Sequence, residues 1–490
     1  MKSVAIIGAG ITGLTAAFYL QRKGVPVTLY EAGPRAGGVI QSFRKDGFLA
    51  ELGPNTILET SPKIAQLISD AGLESRKLVP DPKAEARYVV RYGRPIEMPG
   101  SPLGFLSTKL FTARAKLAVL REPFIRPRRD GGEESIAQFV VRRFNQEFLD
   151  HAIDALVAGI YAGDPHRLSL THAFPKLKAL EDNYGSMIKG QILGARDRKK
   201  SGEVAKDRAP KFSFDEGLQV LPDTLAAHLG EALKFNTAVT QLTQTKAGWT
   251  LTVNGRAREP GENIQHSTSN IQPPSSEAEH SAVIYCGTAH GLAELQIELG
   301  TPASGMARSN YNNEPGMIPA LQALSEIRHP PVASVVLGFR REDVTHPCAG
   351  FGMLIPRVES FKILGAIFSS ALFPNRAPGG HLTLTCYVGG ERQPEIASLP
   401  PEKLFEIVGE DLRVLLGVKG KPVFTHHHFW PRAIPQYNVG YGKFKDLMSG
   451  LETKARGLFL AGHYREGISV GDSIVSGGKA AERVESFLKS

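Results

Sequence analysis

An α/β unit built on a parallel sheet, joined to an α+β region, is the fold class this chain predicts, and three observations predict it. Residues 2 to 31 read strand, turn, helix, strand. Strand-like runs alternate through much of Pro331 to Trp430, and between these regions Ser101 to Gly190 carries Leu, Phe and Ile at helical spacings with many Arg and Lys between them. With 490 residues, 42% of them hydrophobic, the chain is long enough for two or three structural units around sizeable cores.

In the first unit, the apolar run Val4-Ala5-Ile6-Ile7 is followed by Gly8-Ala9-Gly10-Ile11-Thr12-Gly13, by a helical pattern that stops at Gly24, and by a second strand from Val25 to Tyr30. Ser61-Pro62 then opens a capped helix that ends near Gly72. Arg87 to Arg91, a turn Tyr92-Gly93-Arg94-Pro95, and Ile96 to Met98 predict a hairpin. Lys199 to Lys211 is polar and basic and reads as a loop. Asn254 to His280, rich in Ser, Pro, Asn and Glu, reads as an inserted loop between the strands Trp249 to Val253 and Ala282 to Tyr285. A strand from Gly457 to Ala461 and a helix from about Gly471 close the chain.

Charge and cysteine usage narrow the classes of partner. Lys and Arg number 58 against 49 Asp and Glu, a net +9, which favours phosphates, carboxylates or an acidic lipid surface. No nucleic-acid partner is expected. Cys286, Cys348 and Cys386 make neither a CxxC pair nor a zinc pattern, so a reducing, cytoplasmic setting is expected. The first strand begins almost at Met1, leaving no room for a secretory leader, and charges interrupt every apolar stretch before the roughly 20 residues that a membrane-crossing helix needs. His426-His427-His428 does not predict a metal site, because consecutive residues of a strand point to opposite faces.

The glycine run carries the first functional reading. Between a strand and a helix, Gly8 permits a tight turn, Gly10 lets backbone approach a pyrophosphate, and Gly13 lets helix and strand pack closely. The helix N-terminus offers N–H groups to phosphate, and Glu31 at the end of the second strand offers a carboxylate to ribose hydroxyls. This is a Rossmann-type dinucleotide site.

Gly33-Pro34-Arg35-Ala36-Gly37-Gly38 departs from an ordinary NAD-binding pattern and resembles the Arg-x-Gly-Gly element of the amine oxidase, phytoene desaturase and GDP-dissociation-inhibitor superfamily of FAD-binding folds. Glu51-Leu52-Gly53-Pro54-Asn55-Thr56, Gly457 to Gly462 and Gly467 to Asp472 match further elements in the same order. The resemblance implies FAD, held by Gly8, Ala9, Gly10, Ile11, Thr12, Gly13, Glu31, Ala32, Arg35, Gly38, Val39, Gly53, Pro54, Asn55, Thr56, Val239, Trp430, Gly462, Ile468, Ser469 and Val470. In it, Arg35 adds a cation to the phosphates and the last helix points its N-terminus at the flavin. From the residues alone, Val239 and Trp430 read equally well as core. The expected organisation is an FAD-binding domain of residues 1–85, 212–300 and 430–490, a mixed-sheet substrate domain of 86–98 and 301–429, and a helical subdomain of 99–211.

Within the superfamily the chain is similar to the protoporphyrinogen oxidases, at Ala86 to Gly93, Phe144 to Asp150, Leu156 to Pro165, Gly350 to Pro356, Phe368 to Ser370, Val388 to Gly390 and Ile434 to Tyr437. That resemblance implies a tetrapyrrole substrate, with oxygen as acceptor. It implies that Arg87 pairs with a propionate, that the Gly159 carbonyl faces the pyrrole N–H groups, and that Leu354, Ile367 and Tyr387 sandwich the ring. By spacing alone, Arg87 also reads as a solvated residue paired with an acid, and the other three as sheet core. Coproporphyrinogen III oxidases share the fold, cofactor and most of these motifs; an amine oxidase, a carotenoid desaturase and a non-catalytic binding protein are remoter alternatives. Leu103, Phe105, Leu106, Leu110 and Phe111, interleaved with Lys109, Arg114, Lys116, Arg121, Arg126, Arg128 and Arg129, read either as the core of an ordinary helical subdomain or as a face lying on an anionic membrane. The resemblance favours the membrane, at the inner face of the cytoplasmic membrane in a bacterium, and a homodimer is a further expectation.

Overall fold

Five short parallel strands form the first sheet of the computed structural model, which describes residues 2–194, 209–254, 275–300 and 321–490. Their order is Leu233–Lys234, Val27–Tyr30, Val4–Ile7, Ala282–Tyr285 and Leu458–Leu460. The central strands Val4–Ile7 and Ala282–Tyr285 are apolar throughout because both their faces are covered. On one face lie the first helix, Ile11–Arg22, and the last, Val470–Lys489. They approach so closely that a Cβ on Gly477 would sit 2.3 Å from the Thr12 carbonyl oxygen.

The other face meets a four-stranded sheet ordered Ser275–His280, Trp249–Asn254, Ala238–Gln244 and Gln296–Glu298. Ser275–His280 corrects the expectation of a loop running from Asn254 to His280. Its backbone pairs antiparallel with Trp249–Asn254 along the whole strand, and His280 is buried with a ring nitrogen 3.0 Å from the Tyr30 hydroxyl. The polar composition that suggested a loop is that of an edge strand, where backbone pairing decides and side chains face solvent. Residues 255–274 of that insertion, and 199–208 of the basic segment Lys199 to Lys211, lie outside the described residues. Lys211 itself begins a strand, Lys211–Phe214.

A seven-stranded mixed sheet is ordered Phe424–Trp430, Val332–Arg340, His381–Gly389, Ile363–Ile367, Gly352–Leu354, Arg87–Arg91 and Arg94–Glu97. The hairpin turn is tighter than expected, with Arg94 and Pro95 already in the second strand; Tyr92 and Gly93 alone make it, both at positive φ (56° and 69°), as a two-residue turn that follows strand twist requires. One face buries Val90, Val335 and Leu337 against Leu404, Val408 and Leu412 of the helix Pro401–Leu416. The hairpin of Ser42–Lys45 and Phe48–Glu51 covers part of the opposite face, with Phe43 stacked on His426 at 4.1 Å.

Another part of that opposite face lies under helices of the 101–194 region. Ala155 and Ala158 of the helix Asp154–Tyr161 pack against Val89 and Val332. This region is held internally by charge as well as by apolar contact. Arg143 and Glu122 are fully buried, 3.3 Å apart, and Arg143 also meets Glu181 at 2.7 Å. Glu122 accepts hydrogen bonds from the Ser186 hydroxyl and from the Met187 and Ile188 N–H groups, closing the start of the helix Met187–Leu193. Among the described residues no helix is long and apolar enough to cross a membrane.

Candidate functional site

The glycine turn is shaped by backbone contact. Gly8 has φ 100°, and a Cβ there would press at 3.1 Å on the backbone of Cys286 and Gly287 at the end of the neighbouring strand. A Cβ on Gly13 would lie 2.0 Å from the Gly8 carbonyl oxygen, so only glycine lets the first helix start this close to its strand. Gly10 caps that helix without a side-chain hydrogen bond, the first turn holds no acidic residue, and a Cβ there would meet nothing within 4 Å. Bare N–H groups thus face open space, the arrangement that takes a phosphate.

Glu31 stands beside this turn, accepting the Ala9 N–H on one oxygen at 2.7 Å and the Gly33 N–H on the other at 2.8 Å. Each oxygen keeps a further lone pair for a hydroxyl donor. Glu31 and Gly33 also accept, through their carbonyls, the Thr237 and Asn236 N–H groups, which bring the start of Ala238–Gln244, and Val239 with it, to the same corner. Ala32 is half-buried there.

Arg35 is bonded within its own loop. Its guanidinium donates to the carbonyls of Ala36, Gly38 and Ile40 and to the Gln41 side chain at 2.5–3.1 Å, and burial holds it below the usual arginine range. Four acceptors from one turn of chain make Arg35 the peg around which the Gly37-Gly38 loop folds. Gly38 comes beside Gly10, and Val39 is half-exposed next to it.

The segment Glu51 to Thr56 runs against that loop, since a Cβ on Gly53 would lie 2.1 Å from the Val39 carbonyl oxygen. Residues over 300 positions away hold it: the Trp430 indole donates to the Leu52 carbonyl at 2.8 Å, the Tyr387 hydroxyl to the Gly53 carbonyl at 3.0 Å, and the Asn55 amide to the Tyr387 hydroxyl at 2.5 Å. Pro54 and Thr56 remain half-buried. Glu51, buried beside Arg376 at 3.6 Å, accepts from Ser42 and from the Leu218 N–H; burial pushes its carboxyl up to about 7 despite these partners. Nothing in the sequence around Arg376 marks that pairing.

From the far end of the chain, Gly462 donates to Ser476 at 3.0 Å, and Ser469 caps the last helix in a reciprocal box with Asp472. Ile468 and Val470 are half-buried on either side of the cap.

The four side chains assigned to a substrate lie in four different strands, yet registry puts them on one face of the seven-stranded sheet. Arg87 pairs with Gly352, Gly352 with Ile367 and Ile367 with Thr385; one row along, Val89, Leu354, Gly365 and Tyr387 are partners. Trp430, His428 and His426 continue the same face, while His427 turns to Phe405 on the other. Arg87 is exposed, 6.0 Å from the Phe351 ring, with no carboxylate partner among the described residues. The solvated ion pair that its spacing allowed is therefore not formed. Gly159 faces Leu354, whose methyl would be 2.4 Å from a Cβ on that glycine. At the end of the helix Asp154–Tyr161, the carbonyls of Ala158, Tyr161 and Ala162 are taken by Ala162, Gln436 and Glu391, whereas that of Gly159 has no donor among the described residues. Gln436 and Tyr437 belong to this site by their contacts, though sequence reasoning assigned them no role.

The chain is similar to known proteins along its whole length. The family described as flavin containing amine oxidoreductase matches residues 11–485. Protoporphyrinogen oxidase 2, chloroplastic/mitochondrial, of Arabidopsis thaliana is 34% identical over all of this chain and 95% of its own length. Coproporphyrinogen III oxidase of Bacillus subtilis is 29% identical over all of this chain and 99% of its own. Among solved structures, reduced UDP-galactopyranose mutase superposes with a TM-score of 0.70 at 16% identity, covering 99% of this chain and 96% of that one, a likeness of fold.

Proposed function

Because the chain belongs to the flavin-containing amine oxidoreductases, we propose that it oxidises a porphyrinogen, protoporphyrinogen IX in preference to coproporphyrinogen III, with oxygen as the acceptor. Its cofactor is FAD, and the residues fit one: uncapped N–H groups in front of Gly10, a two-point anchored Glu31, and a strip from Glu51 to Thr56 braced from the substrate sheet. When bound, FAD supplies two-electron oxidation and reoxidation by oxygen. The observation that carries the substrate reading is the convergence of Arg87, Leu354, Ile367 and Tyr387 on one sheet face opposite the free Gly159 carbonyl.

The chain's own residues orient and hold. The exposed Arg87 guanidinium pairs with a carboxylate at the rim, Leu354 and Ile367 offer apolar contact to a flat ring, and the Gly159 carbonyl accepts a pyrrole N–H, which fixes the face presented inward. Arg91, on the same face two residues along the strand, is buried and paired with Glu147, whereas Arg87 is exposed with no carboxylate partner among the described residues. One such arginine in register with Ile367 suits a substrate with two propionates. Four would set additional carboxylates against Leu354 and Ile367, where nothing pays their desolvation. Protoporphyrinogen IX should therefore be oxidised with the higher kcat/KM, and Arg87→Ala should lower that value about ten- to a hundredfold, mostly through KM. Parallel assays of both porphyrinogens check this; faster turnover of the four-propionate substrate, or an unchanged Arg87→Ala enzyme, would sink the assignment.

We further propose that residues 99–211 lie on an anionic membrane surface. Leu103, Leu106, Leu117, Leu120 and Phe124 are more than half exposed, among Lys109, Arg114, Lys116 and Arg121. Basic groups of this kind contribute about 1 kcal/mol each near a charged leaflet. In flotation at low salt the protein should rise with anionic vesicles and not with neutral ones; recovery in the soluble fraction with both would refute the surface.

A further inference from the structure

Gln436 and Tyr437 are neighbours in sequence, and their side chains leave the backbone toward different parts of the site. Both are buried, 1% and 2% exposed. The Gln436 amide donates to the Tyr161 carbonyl at 2.8 Å, at the end of the helix that presents Gly159. A second hydrogen bond, to the Ile434 carbonyl at 3.0 Å, fixes its rotamer. Its Oε1 is buried without a donor, and a Cβ on Gly163 would come within 2.5 Å of it. An apolar residue of the same volume would fill the space without that unpaired acceptor, so what the glutamine contributes is its donor.

The Tyr437 hydroxyl lies on the flavin side. It donates to the His463 carbonyl and accepts the Gly467 N–H at 3.0 Å, clasping both ends of the loop between the strand Leu458–Leu460 and the last helix. Its ring lies 4.5 Å from that of Tyr441, tilted by 40°, and 6.4 Å from that of Tyr161, and its own carbonyl accepts the Ser169 N–H at 2.8 Å. Two adjacent residues thus link the Gly159 helix to the loop that contains Gly462 and Ile468. We propose that Gln436 and Tyr437 are positioning residues that set the separation of substrate from cofactor, Gln436 by seating the end of the helix Asp154–Tyr161 and Tyr437 by holding the loop 462–469.

This rests on the reading of the site as one for FAD and a porphyrinogen. The test separates the two arms. Tyr437→Phe keeps the ring and removes the clasp, so titration of apoprotein with FAD, followed by flavin fluorescence, should show about tenfold weaker binding, and the flavin midpoint potential should shift, with the porphyrinogen KM unchanged. Gln436→Met keeps the volume and removes the donor, so KM should rise about tenfold while FAD affinity stays that of the wild type. If each variant moves both readouts alike, or if both merely lower Tm, the inference fails. Should Gln436→Met not fold, Tyr437→Phe decides it by the contrast between FAD affinity and KM. Wild-type protein that takes up no FAD overturns the reading of the site and this inference with it; wild-type protein that binds FAD no better than Tyr437→Phe overturns this inference alone.

Discussion

Glu122→Ala should lower the unfolding free energy by about 3–5 kcal/mol, the usual cost of removing one member of a buried ion pair. Glu122 is fully buried opposite an equally buried Arg143, and it also takes the Ser186 hydroxyl and two backbone N–H groups. Its loss leaves a guanidinium short of one counter-charge and three donors without an acceptor, in a region whose helices are short. Glu122→Gln keeps a carbonyl oxygen for some of those donors and should cost less. Urea unfolding followed by circular dichroism measures both; a loss below about 1 kcal/mol for the alanine variant would mean that the network is not what holds these helices together.

The second large effect is expected at the glycine turn, where two substitutions part the fold from the cofactor. Gly13→Ala sets a methyl 2.0 Å from the Gly8 carbonyl oxygen, and backbone cannot yield there without lifting the first helix from its strand. Overpacking of that kind costs about 1–3 kcal/mol or more, so FAD binding should weaken at least about ten- to a hundredfold, with a fall in Tm. At Gly10 a methyl touches no protein atom and points into the space before the helix N-terminus. Gly10→Ala should keep the wild-type Tm measured without cofactor and still lose FAD affinity. Equal Tm losses in the two apoproteins, or yellow Gly10→Ala protein of full affinity, would contradict the phosphate assignment.

Much of this was legible in the sequence because it is local. Strand, glycine turn, helix and acid follow one another within residues 4 to 31, and each step has a backbone reason that the residue type states. Registry across the seven-stranded sheet was not legible: nothing in Arg87, Leu354, Ile367 or Tyr387 tells which face of which strand they share, and only the resemblance grouped them. The Asn254–His280 segment misled because edge strands need not be apolar, and Ser275–His280 holds its place by backbone pairing. The bonding of Arg35 to its own loop was not legible either, since no local pattern shows that the loop supplies it with four acceptors. Arg376 and Gln436 act through contacts hundreds of residues distant, and the Tyr437 hydroxyl through His463 and Gly467, 26 and 30 residues on; no local pattern announces such partners.

The order of strands in the parallel sheet has a consequence for how the protein is made. Val4–Ile7 is synthesised long before Ala282–Tyr285 and Leu458–Leu460, yet it lies between Val27–Tyr30 and Ala282–Tyr285, and the sheet is closed by Leu458–Leu460. The first helix packs on the last, with Gly477 against Thr12. During translation the strand, turn and helix of residues 4–22 therefore keep an apolar flank uncovered until residues 458–489 have been synthesised. The glycine turn and the loop 462–469 come together only at that point, so the site is completed late in synthesis.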